Sequence, residues 1–321
     1  MDFMFYYCLS LNSIKWPNSK TLNLKSMIGT FIYCVKMQSI NLSNFDTSKV
    51  TSMSGEFLQC KSLTSINISN FDTKNVEDMS GLFSNCNSLT SIDVSHFNTE
   101  NVEDISFLFD KCFLLTSINL SNFKTEKVKN MAGLFSENLS LKSIDITNFN
   151  TSNVKDMTGL FILCSNLTSI DLSKLDTSNV EKMVFLFSGC SSLKSIDVSN
   201  FNTEKVTEMY GLFINCKSLT SINVSNFNTP NLINMDGLFQ NSSSLTSVDL
   251  SNFNTENIEE MYDIFYNCTN LSYIDISNFT NNTHYFDLFT NVAKNGTIKI
   301  NKDIKDVIDI PENWTIREID N

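Results

Sequence analysis

The sequence contains little proline, glycine and histidine, and it has no long hydrophobic run. Its 321 residues include 3 prolines, 9 glycines and 2 histidines, a composition that excludes collagen-like and linker-like chains. No apolar stretch reaches the roughly 18 residues that a membrane-spanning helix needs. Positive charge is also scarce, since 23 Lys and Arg against 35 Asp and Glu leave a net charge of −12. Such a field repels polyanions, so we expect no nucleic-acid partner.

The main feature of the sequence is a strict repeat of 26 residues. A Ser-Ile-Asx triplet and its variants recur at this step from Ile14 to Ile274, which gives about eleven units, the first of them incomplete. Phe, Met, Thr and Cys return in the same register, and all nine cysteines share one repeat position. One unit alone buries too little apolar surface to offset the entropy lost on ordering it. The units must therefore stack and share their buried faces, as the coils of a solenoid do.

Each unit has two halves with different hydrophobic periods. The segment 65–69, Ser-Ile-Asn-Ile-Ser, alternates polar and apolar residues, which predicts a short strand with one buried face. Thr73 follows as a candidate N-cap. After it come apolar residues at the helical spacing of 3, 4 and 3: Val76, Met79, Phe83 and Cys86. The pattern predicts one parallel sheet, with short helices or 3₁₀ turns on the opposite side.

The two ends of the chain depart from the regular pattern. Met1 falls on a Met position inside a repeat, and no basic segment or cleavage site of a signal peptide follows it. We interpret the chain as a fragment, or as a reading frame begun at an internal Met. Near the other end Phe289 arrives two residues early, and Trp314 is expected to cover the last ring. The predicted domains are a solenoid over residues 1–290 and a C-terminal cap over 291–321.

The repeat resembles a known family. Residues 63–71, Leu-Thr-Ser-Ile-Asn-Ile-Ser-Asn-Phe, resemble the leucine-rich repeat, and residues 149–161 are similar to the BspA-like repeat of bacterial surface proteins. The likeness covers about residues 11–290. Phe71 stands where the general motif has asparagine, with Asn70 before it, so the usual buried asparagine ladder is put in question. The resemblance implies an α/β solenoid, a right-handed coil of leucine-rich-repeat type, in a surface or secreted bacterial protein. It implies no catalytic residues.

The polar strand residues form the main candidate binding surface. Because Ile66 and Ile68 face inward, their neighbours face outward and stack from repeat to repeat. We expect this face to bind a protein or matrix ligand, or simply to remain solvated. Carboxylates about 5 Å apart on successive repeats should repel and raise each other's pKa. The candidate residues are Asn67, Asp93, Asn119, Asp145, Asp171, Asp197, Asn223, Asp249, Tyr273 and Asp275.

Other recurring or irregular residues favour structural roles or ligand contact. Cysteines 26 residues apart with only two histidines match no metal motif, so we expect small buried residues and no metal or cofactor. The recurring threonines have no base nearby and are expected to make capping or turn hydrogen bonds. Irregular positions are further candidates for ligand contact: Trp16, His96, Lys174, Tyr210, Tyr262 and Tyr273.

These observations favour a non-catalytic binding or adhesion solenoid, at a bacterial cell surface or secreted, that contacts host or matrix partners. An intracellular protein–protein interaction scaffold is the alternative, supported by the missing signal peptide and the thiol-rich core. An enzyme is not expected, because the sequence has no histidine pair, glycine-rich phosphate loop or nucleophile elbow. The unpaired first repeat predicts end-to-end self-association.

Overall fold

The repeats stack within each of two compact units. A computed structural model describes residues 1–16, 21 and 23–320. The units are Met1–Val154 and Lys155–Asn321. In each unit, backbone hydrogen bonds join residues about one repeat apart, such as Phe57 N–H to the Leu82 carbonyl at 3.0 Å. The predicted stacking of coils is therefore confirmed inside each unit. The division into a solenoid over 1–290 and a cap over 291–321 stays a prediction.

All the paired strands run parallel, as stacked coils require. Unit 1 has a two-stranded sheet of β1 (Ser39–Asn41) and β2 (Ser65–Asn67). Unit 2 has a four-stranded sheet in the order β3 (Ser247–Asp249), β5 (Tyr273–Ile276), β7 (Gly296–Asn301), β8 (Trp314–Ile319). A second sheet in unit 2 pairs β4 (Glu260–Tyr262) with β6 (His284–Phe286), and a 3₁₀ turn covers Lys302–Ile304.

Equivalent residues of successive repeats lie side by side, but the predicted single sheet is divided into short ones. Ile40 pairs with Ile66, and Val248 pairs with Ile274. The strand ends early because the Asn67 side chain accepts a hydrogen bond from the backbone N–H of Ser69 at 3.2 Å. This Asx turn leaves about three extended residues per repeat. Strands that short support few ladder hydrogen bonds, so the sheet is not continuous.

The second half of each repeat consists of turns. Apart from Lys302–Ile304, the described residues contain no helix, so the helical alternative is wrong and the tight turn is the form adopted. Leu58 and Cys60 each donate their backbone N–H to a carbonyl three residues earlier. Gly55 and Gln59 have φ of +59° and +64°, and such left-handed residues stop a helix from continuing. A spacing of 3, 4 and 3 thus also suits a series of turns with buried corners.

Stacked phenylalanine rings form the centre of each core. Their centroids lie 5.7–5.8 Å apart in unit 1, along Phe31, Phe57, Phe83 and Phe109. In unit 2 the distances are 5.7 and 5.6 Å, along Phe187, Phe213 and Phe239. These rings are at most 1% exposed. Each ring buries a large apolar surface and stacks offset on its neighbours, which makes this ladder a main source of stability.

The C-terminal segment continues the stack with a shortened step. Phe289 stacks on Phe265 at 5.8 Å, which is the predicted arrival two residues early. Trp314 is 6% exposed and lies 6.3 Å from Phe289, and its Nε1 donates to the Ala293 carbonyl at 2.9 Å. The prediction that Trp314 covers the last phenylalanine is thereby confirmed.

The cysteines are free thiols, and all but Cys8 are buried. The Cys60 thiol donates to the Phe31 carbonyl at 3.2 Å, and the same bond recurs in later repeats. Ser242 replaces cysteine in one repeat and donates to the Phe213 carbonyl at 2.7 Å. Burial raises the pKa of the Cys216 thiol to about 12. This position therefore needs a small side chain that can donate a hydrogen bond, whereas the sequence suggested only a small apolar residue.

The recurring threonines link each repeat to the next. The Thr99 hydroxyl donates to the Lys124 carbonyl at 2.8 Å and accepts from the Lys124 N–H at 2.7 Å. Thr73 bonds both backbone groups of Asn98 in the same way. The predicted role of the Thr73 side chain as an N-cap of a short helix or 3₁₀ turn is therefore wrong, since its hydroxyl bonds the backbone of Asn98 in the next repeat.

Replacing Thr99 with valine is expected to destabilise the protein by about 2 kcal/mol, because two backbone groups of Lys124 lose their partner beside a buried side chain. Thr99→Ser keeps the hydroxyl and should cost clearly less. Urea unfolding of both variants measures the difference. A loss for valine that is no larger than the loss for serine would contradict the role assigned to the hydroxyl.

Candidate functional site

The outward strand residues of each unit form what is here called the strand face of that unit. In unit 1 these side chains are exposed and fixed by local hydrogen bonds. The Asp93 carboxylate accepts from the Ser95 N–H at 3.0 Å and from its hydroxyl at 2.6 Å. Asn119 accepts from both groups of Ser121 at 3.1 and 2.8 Å. Asn67 with Ser69, and Asp145 with Thr147, repeat the motif. The same side chains that were predicted to bind a ligand thus also close the turn after each strand.

The strand face of unit 2 follows the same rule over most of its length. Asp171, Asp197, Asn223 and Asp249 each accept from the N–H two residues ahead, at 2.9–3.1 Å. Asp275 accepts from the Ser277 N–H in the same way, at 3.0 Å, but it differs in exposure. Lys299 of the adjacent strand β7 lies 2.9 Å from its carboxylate, and the side chain is 5% exposed. The expected outward exposure of Asp275 is therefore wrong. Tyr273, at the start of β5, is half-buried.

The local turns decide the charge state of the strand face. The Ser173 hydroxyl holds the pKa of Asp171 below its ordinary value, and the Ser199 hydroxyl does the same for Asp197. Repulsion from Asp171 acts in the opposite direction on the Asp197 pKa but is the smallest of its causes. The predicted rise in pKa is therefore wrong for Asp171 and Asp197. Hydrogen bonds from the serine stabilise each charged carboxylate by more than the exposed charge of a neighbouring carboxylate destabilises it.

The strand face presents fixed hydrogen-bond acceptors and a negative field. Its aspartates stay ionised at neutral pH where the turns lower their pKa. Among the described residues, no group of three His, Cys, Asp or Glu side chains could hold a metal ion. This arrangement suits recognition of polar and basic groups by hydrogen bonding. Whether it binds a ligand stays a prediction.

An asparagine ladder is present one position earlier than in the general motif. The Asn148 amide donates to the carbonyls of Leu120 and Phe123 at 3.0 and 2.9 Å. His96 takes the same position and places Nε2 3.0 Å from the Ile68 carbonyl. His96 is thus part of the scaffold, although the sequence suggested ligand contact. The recurring Asn before each Phe was the signal for this ladder.

Two of the irregular residues lie together, and a third, Trp16, is half-buried and packs against phenylalanine rings. Tyr210 and Tyr262 line one cavity of about 270 Å³ in unit 2. Trp16 instead packs against Phe45 at 4.9 Å and against Phe5 at 5.8 Å. Tyr210 and Tyr262 are two repeat steps apart in the sequence. Their spacing could have predicted that they share one side of the stack.

The first repeat of unit 1 exposes several aromatic side chains. Phe3, Tyr6 and Tyr7 are 52%, 50% and 52% exposed. The backbones of Phe3 and Tyr7 bond to the following repeat, as Tyr7 N–H does to the Ile32 carbonyl at 2.9 Å. Exposed aromatic groups of this kind suit association between copies, but the predicted end-to-end self-association stays a prediction.

Parallel pairing of equivalent residues, buried apolar ladders and an asparagine ladder define a solenoid of leucine-rich-repeat type in each unit. The family model described as "Mycoplasma protein of unknown function, DUF285" matches residues 23–140, 106–197 and 185–306. The chain belongs to this family. Within the residues that the structure describes, no helix has the length and apolarity to cross a membrane.

The solved structures that resemble the chain include two bacterial leucine-rich repeat proteins. A leucine-rich cell surface protein from Faecalibacterium prausnitzii is 19% identical, with 87% of this chain and 76% of that chain covered and a TM-score of 0.36. A leucine-rich repeat protein from Eubacterium ventriosum is also 19% identical, with 88% and 81% covered and a TM-score of 0.36. No curated protein matches the chain.

Proposed function

We propose that the chain is a non-catalytic binding protein of the BspA-like kind, at a bacterial surface or secreted, that contacts a host or matrix protein through its strand face. The observation that carries the proposal is the Asx turn after the strand segment, which fixes an exposed polar side chain in most repeats, as at Asp93 and Asn119. The likeness of the repeat sequence to surface proteins supports the location.

Fixed side chains favour binding because less conformational entropy is lost when a partner docks. The Ser95 and Ser121 hydroxyls hold their Asx partners at 2.6 and 2.8 Å, so these side chains are ordered before any contact. The net charge of −12 favours a partner with a basic patch, since complementary charge speeds and orients encounter.

An intracellular interaction scaffold is the second candidate. It is favoured by the nine free cysteines, of which eight are buried. Free thiols in this number persist most readily in a reducing compartment. The two candidates share the strand face and differ in location.

Binding can be tested by blocking the strand face without breaking its turns. Ser91→Arg/Ser117→Arg places bulk and positive charge beside Asp93 and Asn119, at exposed positions of the strand segments. We expect the purified variant to bind surfaces coated with collagen or fibronectin at least about tenfold more weakly. Two bulky side chains at the centre of an interface should lower the binding free energy by about 1.4 kcal/mol or more. Leu114→Arg, at another exposed position, is the control. Equal binding by both variants would contradict the proposal.

Protease treatment of intact cells distinguishes the two locations. A surface protein should be cut while the cells stay whole, and an intracellular scaffold should be cut only after lysis. Detection of the chain with an antibody before and after lysis provides the measurement.

A further inference from the structure

A small cavity in unit 2, here called the tyrosine cleft, is bordered by two exposed aromatic rings. It has a volume of about 270 Å³, and Tyr210, Asp236, Gly237, Tyr262 and Asp263 are among its lining residues. Tyr210 and Tyr262 occupy the same repeat position two repeats apart, which separates their backbones by roughly 10 Å. Asp236 occupies the intervening repeat. In most other repeats this position holds Ser, Thr or Ala, so the cleft is local to this part of the chain.

The ring of Tyr262 presents one open face to the cleft. Its other face is covered by Phe286, which stacks on it at 4.7 Å with an interplanar angle of 10°. Phe286 belongs to the following repeat, through the parallel pairing of β4 with β6. On the opposite side, the Tyr262 N–H donates to Asp236 Oδ1 at 2.8 Å. The open aromatic face is therefore directed toward the repeat that carries Asp236, and Tyr262 remains 38% exposed.

Carboxylates surround this face, and the lining has no positive charge. Asp236 and Asp263 both line the cleft, and Glu260 accepts a hydrogen bond from the Tyr262 hydroxyl at 2.8 Å. Neither Lys nor Arg is among the lining residues that the structure describes. Partial burial raises the pKa of Asp236, and the charges of Asp263 and Glu260 raise it further. A cation in the cleft would relieve that repulsion.

We propose that the tyrosine cleft binds the guanidinium group of an arginine side chain on a partner protein. The guanidinium plane stacks on the open face of Tyr262, and its N–H groups bond to the carboxylates of Asp236 and Asp263. Tyr210 closes the other side of the cleft. The proposal is independent of the strand face, because it uses the turn segments of the repeats.

The chemistry of the lining selects guanidinium over other cations. A quaternary ammonium would be attracted to the ring but has no N–H group for the two carboxylates. A lysine ammonium has donors but is strongly hydrated and offers no flat face to stack on Tyr262. Guanidinium combines a flat, weakly hydrated face with donors in its plane, which matches a ring beside two carboxylates.

The test is a titration of the full chain, with ¹³C-labelled tyrosine rings, against the peptide acetyl-Gly-Arg-Gly-amide, followed by NMR. We expect the ring signals of Tyr262 and Tyr210 to shift and those of Tyr273 to stay in place. The lysine analogue of the peptide and tetramethylammonium should each bind at least about fivefold more weakly, the scale of one lost stacking or ionic contact. Binding should weaken as the pH falls through the raised pKa of Asp236, which Asp263 and Glu260 face.

Substitutions separate the two parts of the proposed contact. Asp236→Asn keeps an acceptor for the Tyr262 N–H but removes the charge, and it should weaken arginine binding by about tenfold. Tyr262→Ala should weaken binding to a similar degree, whereas Tyr262→Phe keeps the face and should bind like the parent. Phe107→Ala, which removes an exposed ring of unit 1 away from the cleft, is the matched control. Equal affinity for arginine and lysine, unchanged binding by Asp236→Asn, or no shift of Tyr262 at roughly 10 mM peptide overturns the proposal.

Discussion

Replacing Glu56 with leucine is expected to stabilise unit 1. The parent protein should lose stability as the pH rises from 5 to 8, and the substitution should remove most of that loss. Glu56 is fully buried in a position that Leu82 fills in the next repeat. Its Oε2 accepts from the Thr30 N–H at 3.1 Å, but its Oε1 has no hydrogen-bond partner. A carboxyl group in such a place is costly when charged.

The direction of the pH effect follows from burial. Burial raises the pKa of Glu56 from 4.5 to about 8. The neutral acid is therefore favoured in the folded chain, and its contribution to stability is fully present below pH 4.5. That contribution is lost as the pH rises toward 8, because the unfolded chain ionises and the folded chain resists. At about 1.4 kcal/mol per pH unit, the loss between pH 5 and 8 amounts to roughly 3–4 kcal/mol.

Urea unfolding at pH 5 and pH 8 measures this effect. Thiols of the unfolded chain begin to ionise near pH 8 and add a smaller loss of stability, which the parent and its variants share. Glu56→Gln is the control, since it keeps the shape and the acceptor but cannot titrate, so its stability should fall far less than that of the parent over the window. A parent protein whose stability is equal at pH 5 and pH 8 would show that Glu56 is not buried as described.

Replacing Phe83 with alanine is expected to destabilise unit 1 by about 3–5 kcal/mol. The ring is fully buried and lies 5.8 Å from both Phe57 and Phe109. Its loss leaves a cavity and also removes two ring contacts. Because Phe57 and Phe109 are held by their own repeats, they can move only slightly to fill the space.

Phe107→Ala is the matched control for this experiment. Phe107 belongs to the same unit but is 47% exposed, so its truncation should cost about 1 kcal/mol or less. Thermal or urea unfolding of the two variants gives the comparison. Similar losses at Phe83 and Phe107 would mean that the ring ladder is not the centre of the core.

The repeat determined most of what the sequence could predict. A fixed step of 26 residues allowed buried positions such as Phe57 and Cys60 to be assigned without any structure, because equivalent residues must stack. The same regularity predicted parallel strands, and the break in the repeat near the C-terminus indicated a segment in which Trp314 covers the last ring. The local backbone conformation was harder to predict, since an apolar spacing of 3, 4 and 3 suits both a helix and a series of turns. The left-handed conformation of Gln59 was not visible from its residue type.

Side-chain partners were the second limit of the sequence. Periodicity assigned Thr73 to a recurring position, but it could not show that the hydroxyl bonds Asn98 in the next repeat. The pKa of Asp171 likewise depends on the geometry of Ser173. For the tyrosine cleft the information was present, because Tyr210 and Tyr262 fall on one repeat position. The sequence could not show that Phe286 stacks on Tyr262 and leaves only one face of the Tyr262 ring open.

The threonine bonds described above have a consequence for how such a chain changes in evolution. Each bond joins a residue only to the adjacent coil, as Thr99 is joined to Lys124. Within a unit, a deletion or duplication of one whole period would bring equivalent partners together again, because the next threonine finds the same backbone groups. A deletion or duplication of any other length would shift the threonine out of register with its backbone partners in the adjacent coil. The architecture therefore tolerates variation in the number of coils far better than variation in the length of one coil.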